Sequence, residues 1–383
     1  MRKFSFSILA SNFVKTEGDL PFVSRLAAAS MGIRIGDAMG WIAETGTPLQ
    51  IREMMEGKKI AGFLDSRDVK PISPKWYGGF KAGDYTDDTQ QMFAILRSLG
   101  RLGCFDLEDI AREHLIEHSI SSAGWGRTTE EAMTAFIYYY AAKASKDPNG
   151  PVVQAARHPL FPIRSNELGK GCGNGVAMKI APLAMFYATK AYHDPVYREL
   201  YLELMLDDTI KLGRMTHPDI RASIAAYAVA YVIFNLLLSP RTSPDSMEDF
   251  CEELIDRVRY AESIFKDENA QIDPVSKRLE LVRDNLNNGQ CHKIAKFIGT
   301  ECYALKSVPF AIWLAFMNLN YFKAGIIDAV NAGGDTDTIA AMVGAMIGAN
   351  VGINGIPKDW LTFRSDFFEP MRLTLELYRT LTR

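Results

Sequence analysis

Asn331-Ala332-Gly333-Gly334-Asp335-Thr336-Asp337-Thr338-Ile339 runs without a break into residues 340–352, a stretch that carries no charge. Small and apolar side chains recur there at helical spacing, so 338–352 is predicted as a helix. A helix with no charged face must be buried on every side. At ~15 uncharged residues, 339–353 is shorter than the ~20 needed to span a bilayer. The predicted element is therefore a core helix whose first turn holds carboxylates and hydroxyls. That combination points to a helical protein with its chemistry at helix entrances.

Working outward, helical spacing recurs over 21–43, 89–99, 107–119, 129–142, 177–187, 195–215, 223–238, 247–264 and 307–321. The uncharged run 222–238, ~17 residues, is also read as a buried core helix. Caps are expected at Thr128 or Thr129, ahead of Glu130-Glu131, and at Ser246, ahead of Glu248-Asp249. Strand-like alternation with hairpin turns is scarce. The least helical stretch is 45–83, rich in Gly, Pro, Lys and aromatics; 145–175 is a second break, with a turn at 147–150. The expected fold class is all-α, a single compact multi-helix domain.

The 383 residues are 48% hydrophobic and 23% charged, which excludes a disordered or collagen-like chain. Net charge is −3, from 43 basic and 46 acidic residues, with no long run of one sign. No nucleic-acid partner is expected from that balance. Five scattered cysteines form neither a C-x-x-C pair nor a zinc array, as in a reduced, cytoplasmic protein. The basic start Met1-Arg2-Lys3 leads into a serine-broken apolar stretch, so neither a signal peptide nor a membrane association is expected.

A second acidic cluster, Asp84-Tyr85-Thr86-Asp87-Asp88-Thr89-Gln90-Gln91-Met92, also enters a helix. Carboxylates beside threonine hydroxyls are hard oxygen ligands suited to Mg²⁺, Mn²⁺ or Ca²⁺. Helix capping accounts for one Asp at such a place, but not for adjacent carboxylates, whose repulsion a divalent cation relieves. Asp37 and Glu44 are seven residues apart, about two helical turns, which alone suggests a solvated helix face. Gly32, Gly36 and Gly40, four apart, suggest a close helix–helix contact. The loop Gly169-Lys170-Gly171-Cys172-Gly173-Asn174-Gly175 runs toward a helix, and its free N–H groups suit a phosphate or diphosphate. It lacks a P-loop ending. His217, before Pro218, reads as a cap or core residue when taken alone.

Taken in order, these pieces resemble the ADP-ribosylglycohydrolase family, which includes the dinitrogenase reductase-activating glycohydrolases. The residues that carry the resemblance are Gly36-Asp37…Glu44, Thr86-Asp87-Asp88-Thr89, Gly173-Asn174-Gly175-x-Ala177-Met178, Thr216-His217 and Gly333-Gly334-Asp335-Thr336-Asp337-Thr338. It extends from about Ser24 to Trp360, so 1–23 is expected as an N-terminal extension and 24–383 as the family's helical domain. The resemblance implies a cleft with two Mg²⁺ or Mn²⁺ ions held by Thr86, Asp87, Asp88, Asp335, Asp337 and Thr338. It also implies an ADP-ribose site lined by Gly126, Gly171, Cys172, Gly173, Asn174 and His217. Glu44, Asp88 and Asp337 would be the catalytic carboxylates, and the substrate an ADP-ribosylated protein or a small ADP-ribosyl compound. This chain departs from the family in having Lys179 where Arg is common and Cys172 where some members place an aromatic. Its 45–83 segment is also longer than in the simplest members.

Two rival readings have their own signatures. Asp335-x-Asp337 suits a metal-dependent phosphohydrolase only if a hydrophobic strand precedes it. A non-catalytic ADP-ribose or nucleotide binder would keep the glycine loops without needing both acidic motifs and Glu44.

Overall fold

The computed structural model describes residues 6–11, 13–76, 79–144, 170–241, 247–268 and 270–383. The expected turn at 147–150, most of the 145–175 break and the Ser246 cap lie outside the described residues. Among the described residues there is no strand. The helices of seven residues or more begin with α1 (Leu20–Gly40), α2 (Pro48–Met54), α3 (Asp87–Leu102), α4 (Leu107–Ile120) and α5 (Arg127–Ala144). They continue with α6 (Ala181–His193), α7 (Arg198–Thr216), α8 (Ile220–Leu238), α9 (Met247–Ile264) and α10 (Val275–Arg283). Last come α11 (Cys291–Ile298), α12 (Ala304–Met317), α13 (Phe322–Val330), α14 (Thr336–Val351) and α15 (Glu369–Thr382).

The centre is the pair α1–α14, wrapped by α8, α12 and α13 and, on α1, by α3 and α15. Glycine makes this pair possible. A Cβ on Gly32 would lie 2.1 Å from the Gly344 carbonyl oxygen, and one on Gly36 2.2 Å from the Ala340 carbonyl. The expected Gly32/Gly36/Gly40 contact is thus the axis of the fold. Both helices are buried nearly throughout; for α14 the uncharged run predicts this. α8 is long and apolar enough to cross a membrane, yet its apolar window is wholly buried inside the protein, matching the core-helix expectation.

Several sequence expectations need correction. The 45–83 segment contains α2, which opens with Thr47 as N-cap and Pro48 behind it; Gln50 N–H donates to Thr47 Oγ1 at 3.3 Å, and Thr47 N–H to Gln50 Oε1 at 2.9 Å. Two turns are too short for periodicity to register. Thr128 and Thr129 do not cap α5, which begins at Arg127; the Gly126 carbonyl accepts from the Thr129 and Glu130 amides. The helix expected over 307–321 runs instead from Ala304 to Met317. α15 was hidden because Leu373, Leu375 and Leu377 alternate at a strand-like period of two.

Candidate functional site

The α1–α14 pair delivers the acidic motif to its place. Gly40, the last residue of α1, is so close to α14 that a Cβ there would lie 2.4 Å from the Asp337 Cα. Thr336 Oγ1 donates to the Gly40 carbonyl at 2.8 Å and fixes the register. Past Gly40 the chain makes a 3₁₀ turn, Trp41–Ala43, then turns extended at Glu44. The Thr45 amide donates to the Gly334 carbonyl at 2.7 Å, and the Gly334 amide to the Gly46 carbonyl at 2.8 Å. Those two bonds lace Glu44 to the Gly333-Gly334 turn, where both glycines have positive φ and a Cβ on Gly334 would lie 2.3 Å from the Thr300 carbonyl oxygen.

Asp37 corrects the expectation of a solvated face. It is fully buried and accepts from the Thr86 amide at 3.0 Å and Oγ1 at 2.9 Å, and from the Thr89 amide at 3.0 Å and Oγ1 at 2.5 Å. A carboxylate on α1 therefore caps the N-terminus of α3 from outside and holds Asp87 and Asp88 in place. The seven-residue spacing misleads because α1 ends between Asp37 and Glu44. Asp37→Ala strands two amides and two hydroxyls in the core. We expect it to cost about 3 kcal/mol or more in a urea unfolding curve; a loss below about 1 kcal/mol would show that α3 is positioned otherwise.

Carboxylate oxygens of Glu44, Asp335 and Asp337 all lie within 4.8 Å of one another. Asp88 projects from the first turn of α3 toward Thr338, whose Oγ1 lies 3.4 Å from its Oδ2, with Thr86 Oγ1 at 3.5 Å. Its other oxygen, Oδ1, is buried with no hydrogen-bond partner. Neither Thr86 nor Asp335, the N-caps of α3 and α14, uses its side chain to cap its own helix, so capping does not account for them. Burial pushes Asp87 up to about 8, with Asp37 and Glu44 adding to the effect. Asp88 and Asp337 are likewise held well above the usual carboxylate range, chiefly by burial and then by their acidic neighbours. Oxygen-only donors, crowded like charges and an orphaned carboxylate oxygen fit a hard divalent cation.

A cavity of about 280 Å³ opens above this cluster, lined by Glu44, Asp87, Asp335, Asp337 and Thr338 together with all six residues expected at the ADP-ribose site. Thr86 and Asp88 are buried beneath it. Asn174 donates from Nδ2 to Asp335 Oδ2 at 2.7 Å and to Ser307 Oγ at 3.1 Å, which ties the glycine loop to the acidic motif. Gly175 and Gly173 pack on the His217 ring. His217 caps α7, lies 2.8 Å through Nδ1 from Thr216 Oγ1, and is driven down to about 3 by burial, so it is neutral. A larger cavity, about 600 Å³ and walled in part by Arg25, Asn350 and Lys358, has no carboxylate or thiol among the described residues that line it. Chemistry rather than volume picks out the site.

The profile described as ADP-ribosylglycohydrolase matches residues 19–380. The chain belongs to the ADP-ribosylglycohydrolase family. ADP-ribosylhydrolase ARH3 of Danio rerio is 28% identical to it over 88% of this chain and 85% of that protein. ADP-ribosylhydrolase ARH3 of Mus musculus is 25% identical over 93% and 92% respectively. A solved structure titled ADP-ribosylglycohydrolase-related protein complex shares the fold, with a TM-score of 0.58 and 24% identity over 94% of this chain and 99% of that one.

Around this family's cleft the structure adds residues that the sequence did not single out as partners. Lys75 Nζ donates to Glu44 Oε1 at 2.7 Å and Trp76 Nε1 to Oε2 at 2.8 Å. Both come from the long 45–83 segment, where Trp76 packs with Trp41 and Phe80. No sequence spacing links Lys75 and Trp76 to Glu44. Gln91 and Lys179 lie buried behind Asp87, with Lys179 pushed down to about 7 by its burial.

Proposed function

We propose that this member of the family is a metal-dependent hydrolase that cleaves the glycosidic bond between ADP-ribose and an acceptor. The acceptor is a protein side chain such as arginine, or a small ADP-ribosyl compound. The observation that carries the reading is the convergence of Glu44, Asp335 and Asp337 within 4.8 Å on the floor of a glycine-lined cleft. Thr86, Asp87, Asp88, Asp335, Asp337 and Thr338 would hold two Mg²⁺ or Mn²⁺ ions. Such ions neutralise the carboxylates, orient sugar hydroxyls and acidify water.

The residues then divide the work. Gly126, Gly171, Gly173 and Gly175, which carry no side chains, leave room at the cleft wall for a diphosphate to approach the backbone. His217, neutral and buried at the cleft wall, offers a hydrogen bond rather than a charge. Cleavage at the ribose anomeric carbon passes through an oxocarbenium-like state that a nearby carboxylate stabilises. Glu44, bonded to Lys75 and Trp76, would do this and accept a proton from the attacking water, with Asp88 and Asp337 as the further carboxylates of the reaction. Five free cysteines support a cytoplasmic setting.

The test is release of free ADP-ribose from an ADP-ribosyl-arginine protein, with a serine-linked substrate in parallel. Release is expected with Mg²⁺, lost in EDTA and restored when Mg²⁺ is returned. Orthophosphate without ADP-ribose would revive the phosphohydrolase, although no strand precedes Asp335 here. Tight ADP-ribose binding without turnover on either linkage would identify a binding protein.

A further inference from the structure

Lys179 is fully buried, and its ammonium makes no ion pair among the described residues. Its acceptor is the neutral Gln91 Oε1, at 2.7 Å. A buried charge with so little compensation is costly unless something nearby gains from it. Gln91, itself fully buried, lies one turn after Asp87 on α3 and donates from Nε2 to Asp87 Oδ2 at 2.9 Å. An amide has one accepting and one donating end, whereas an ammonium only donates. With Lys179 on the oxygen, the NH₂ group must face Asp87. Without Lys179 the amide is free to flip and turn its oxygen on the carboxylate.

We infer that Lys179 is a positioning residue for the metal site: acting through Gln91, it ties down Asp87 Oδ2 and leaves Oδ1 turned to the cleft. On that side stands Gly124, where a Cβ would lie only 2.5 Å from Oδ1, so no side chain competes for the oxygen. Lys179 does not line the cavity and cannot touch the substrate. Asp87 is also the carboxylate that Lys179 feels electrostatically. The inference rests on the reading of Asp87 as a metal ligand, and the experiment separates the two.

Mg²⁺ titrated calorimetrically into the full chain, with no substrate, gives the affinity directly. Lys179→Met is expected to weaken Mg²⁺ binding about 10- to 100-fold, the usual effect of losing an outer partner of a ligand. Lys179→Arg, which can still donate to Gln91, restores it to within a few fold. The double variant Lys179→Met/Gln91→Leu replaces the polar pair with apolar groups and is weakened no further than Lys179→Met, because the two residues act as one relay. A merely structural lysine would lower the unfolding midpoint and leave the affinity alone. Unchanged affinity in a folded Lys179→Met or double variant overturns the relay, as does a loss in the double beyond that of Lys179→Met. Should Lys179→Met not fold, the double variant decides. A parent protein that binds no Mg²⁺ overturns the ligand reading of Asp87, and the relay with it.

Discussion

An Asp337→Asn protein is expected to fold, and to lose Mg²⁺ affinity and ADP-ribose release together, each by more than about 10²-fold. The estimate follows from geometry. The Asp337 carboxylate opens α14 within 4.8 Å of oxygens from Glu44 and Asp335, and the Thr338 amide donates to its Oδ1 at 3.0 Å. Asn keeps the size but replaces one anionic oxygen with an NH₂ that only donates, aimed into a cluster of acceptors. Loss of an outer partner of a ligand already costs about 10- to 100-fold, so loss of a ligand charge should exceed that. Without metal, the variant is expected to be at least as stable as the parent, because one of several crowded like charges is gone. The stabilisation that Mg²⁺ confers on the parent should accordingly vanish from its thermal unfolding curve. Parental activity and affinity in Asp337→Asn would remove this residue from the site.

How far the sequence leads differs from residue to residue. Asp335 and Asp337, like Asp87 and Asp88, are legible because each pair falls within three residues at the start of a buried helix, so one motif contains the chemistry and its scaffold. Gly32, Gly36 and Gly40 are legible because four-residue spacing on one helix face survives in any fold. Asp37 is harder. Its surroundings, residues 26–43, carry no other charge but Arg34, and that signal of all-round burial outweighs its spacing from Glu44. Arg34 is buried too, stacked 3.8 Å from the Tyr85 ring centroid and paired with Asp366 at 2.9 Å. Lys75 and Trp76 were out of reach, since their contact with Glu44 closes a loop of about 31 residues with no periodicity to follow. Gln91 reads as an ordinary polar residue on α3 until Lys179 is placed beside it from 88 positions away.

Gly40 is where fold and site meet, and Gly40→Ala should separate two roles that glycine plays along α1. At Gly32 an added Cβ would meet the Gly344 carbonyl oxygen at 2.1 Å; at Gly40 it would meet the Asp337 Cα at 2.4 Å and nitrogen at 2.5 Å. Backbone on both sides cannot step aside as a flexible side chain would, so α1 and α14 must move apart in either variant. Overpacking of this kind costs about 1–3 kcal/mol or more, and both alanine variants are expected to unfold at lower urea than the parent. Their sites should differ. Gly32 lies eight residues up the helix, about 12 Å from Gly40, and a local parting there leaves the first turn of α14 in register. At Gly40 the displaced atoms are those of Asp337 itself, and the Thr336 bond to the Gly40 carbonyl, 2.8 Å, is strained at the same point. Gly32→Ala is therefore expected to keep Mg²⁺ affinity within a few fold, while Gly40→Ala loses about 10-fold or more, as misplaced ligands do. Equal affinity in the two variants would mean that the cleft tolerates movement of α14, and that the close packing of the central pair serves stability alone.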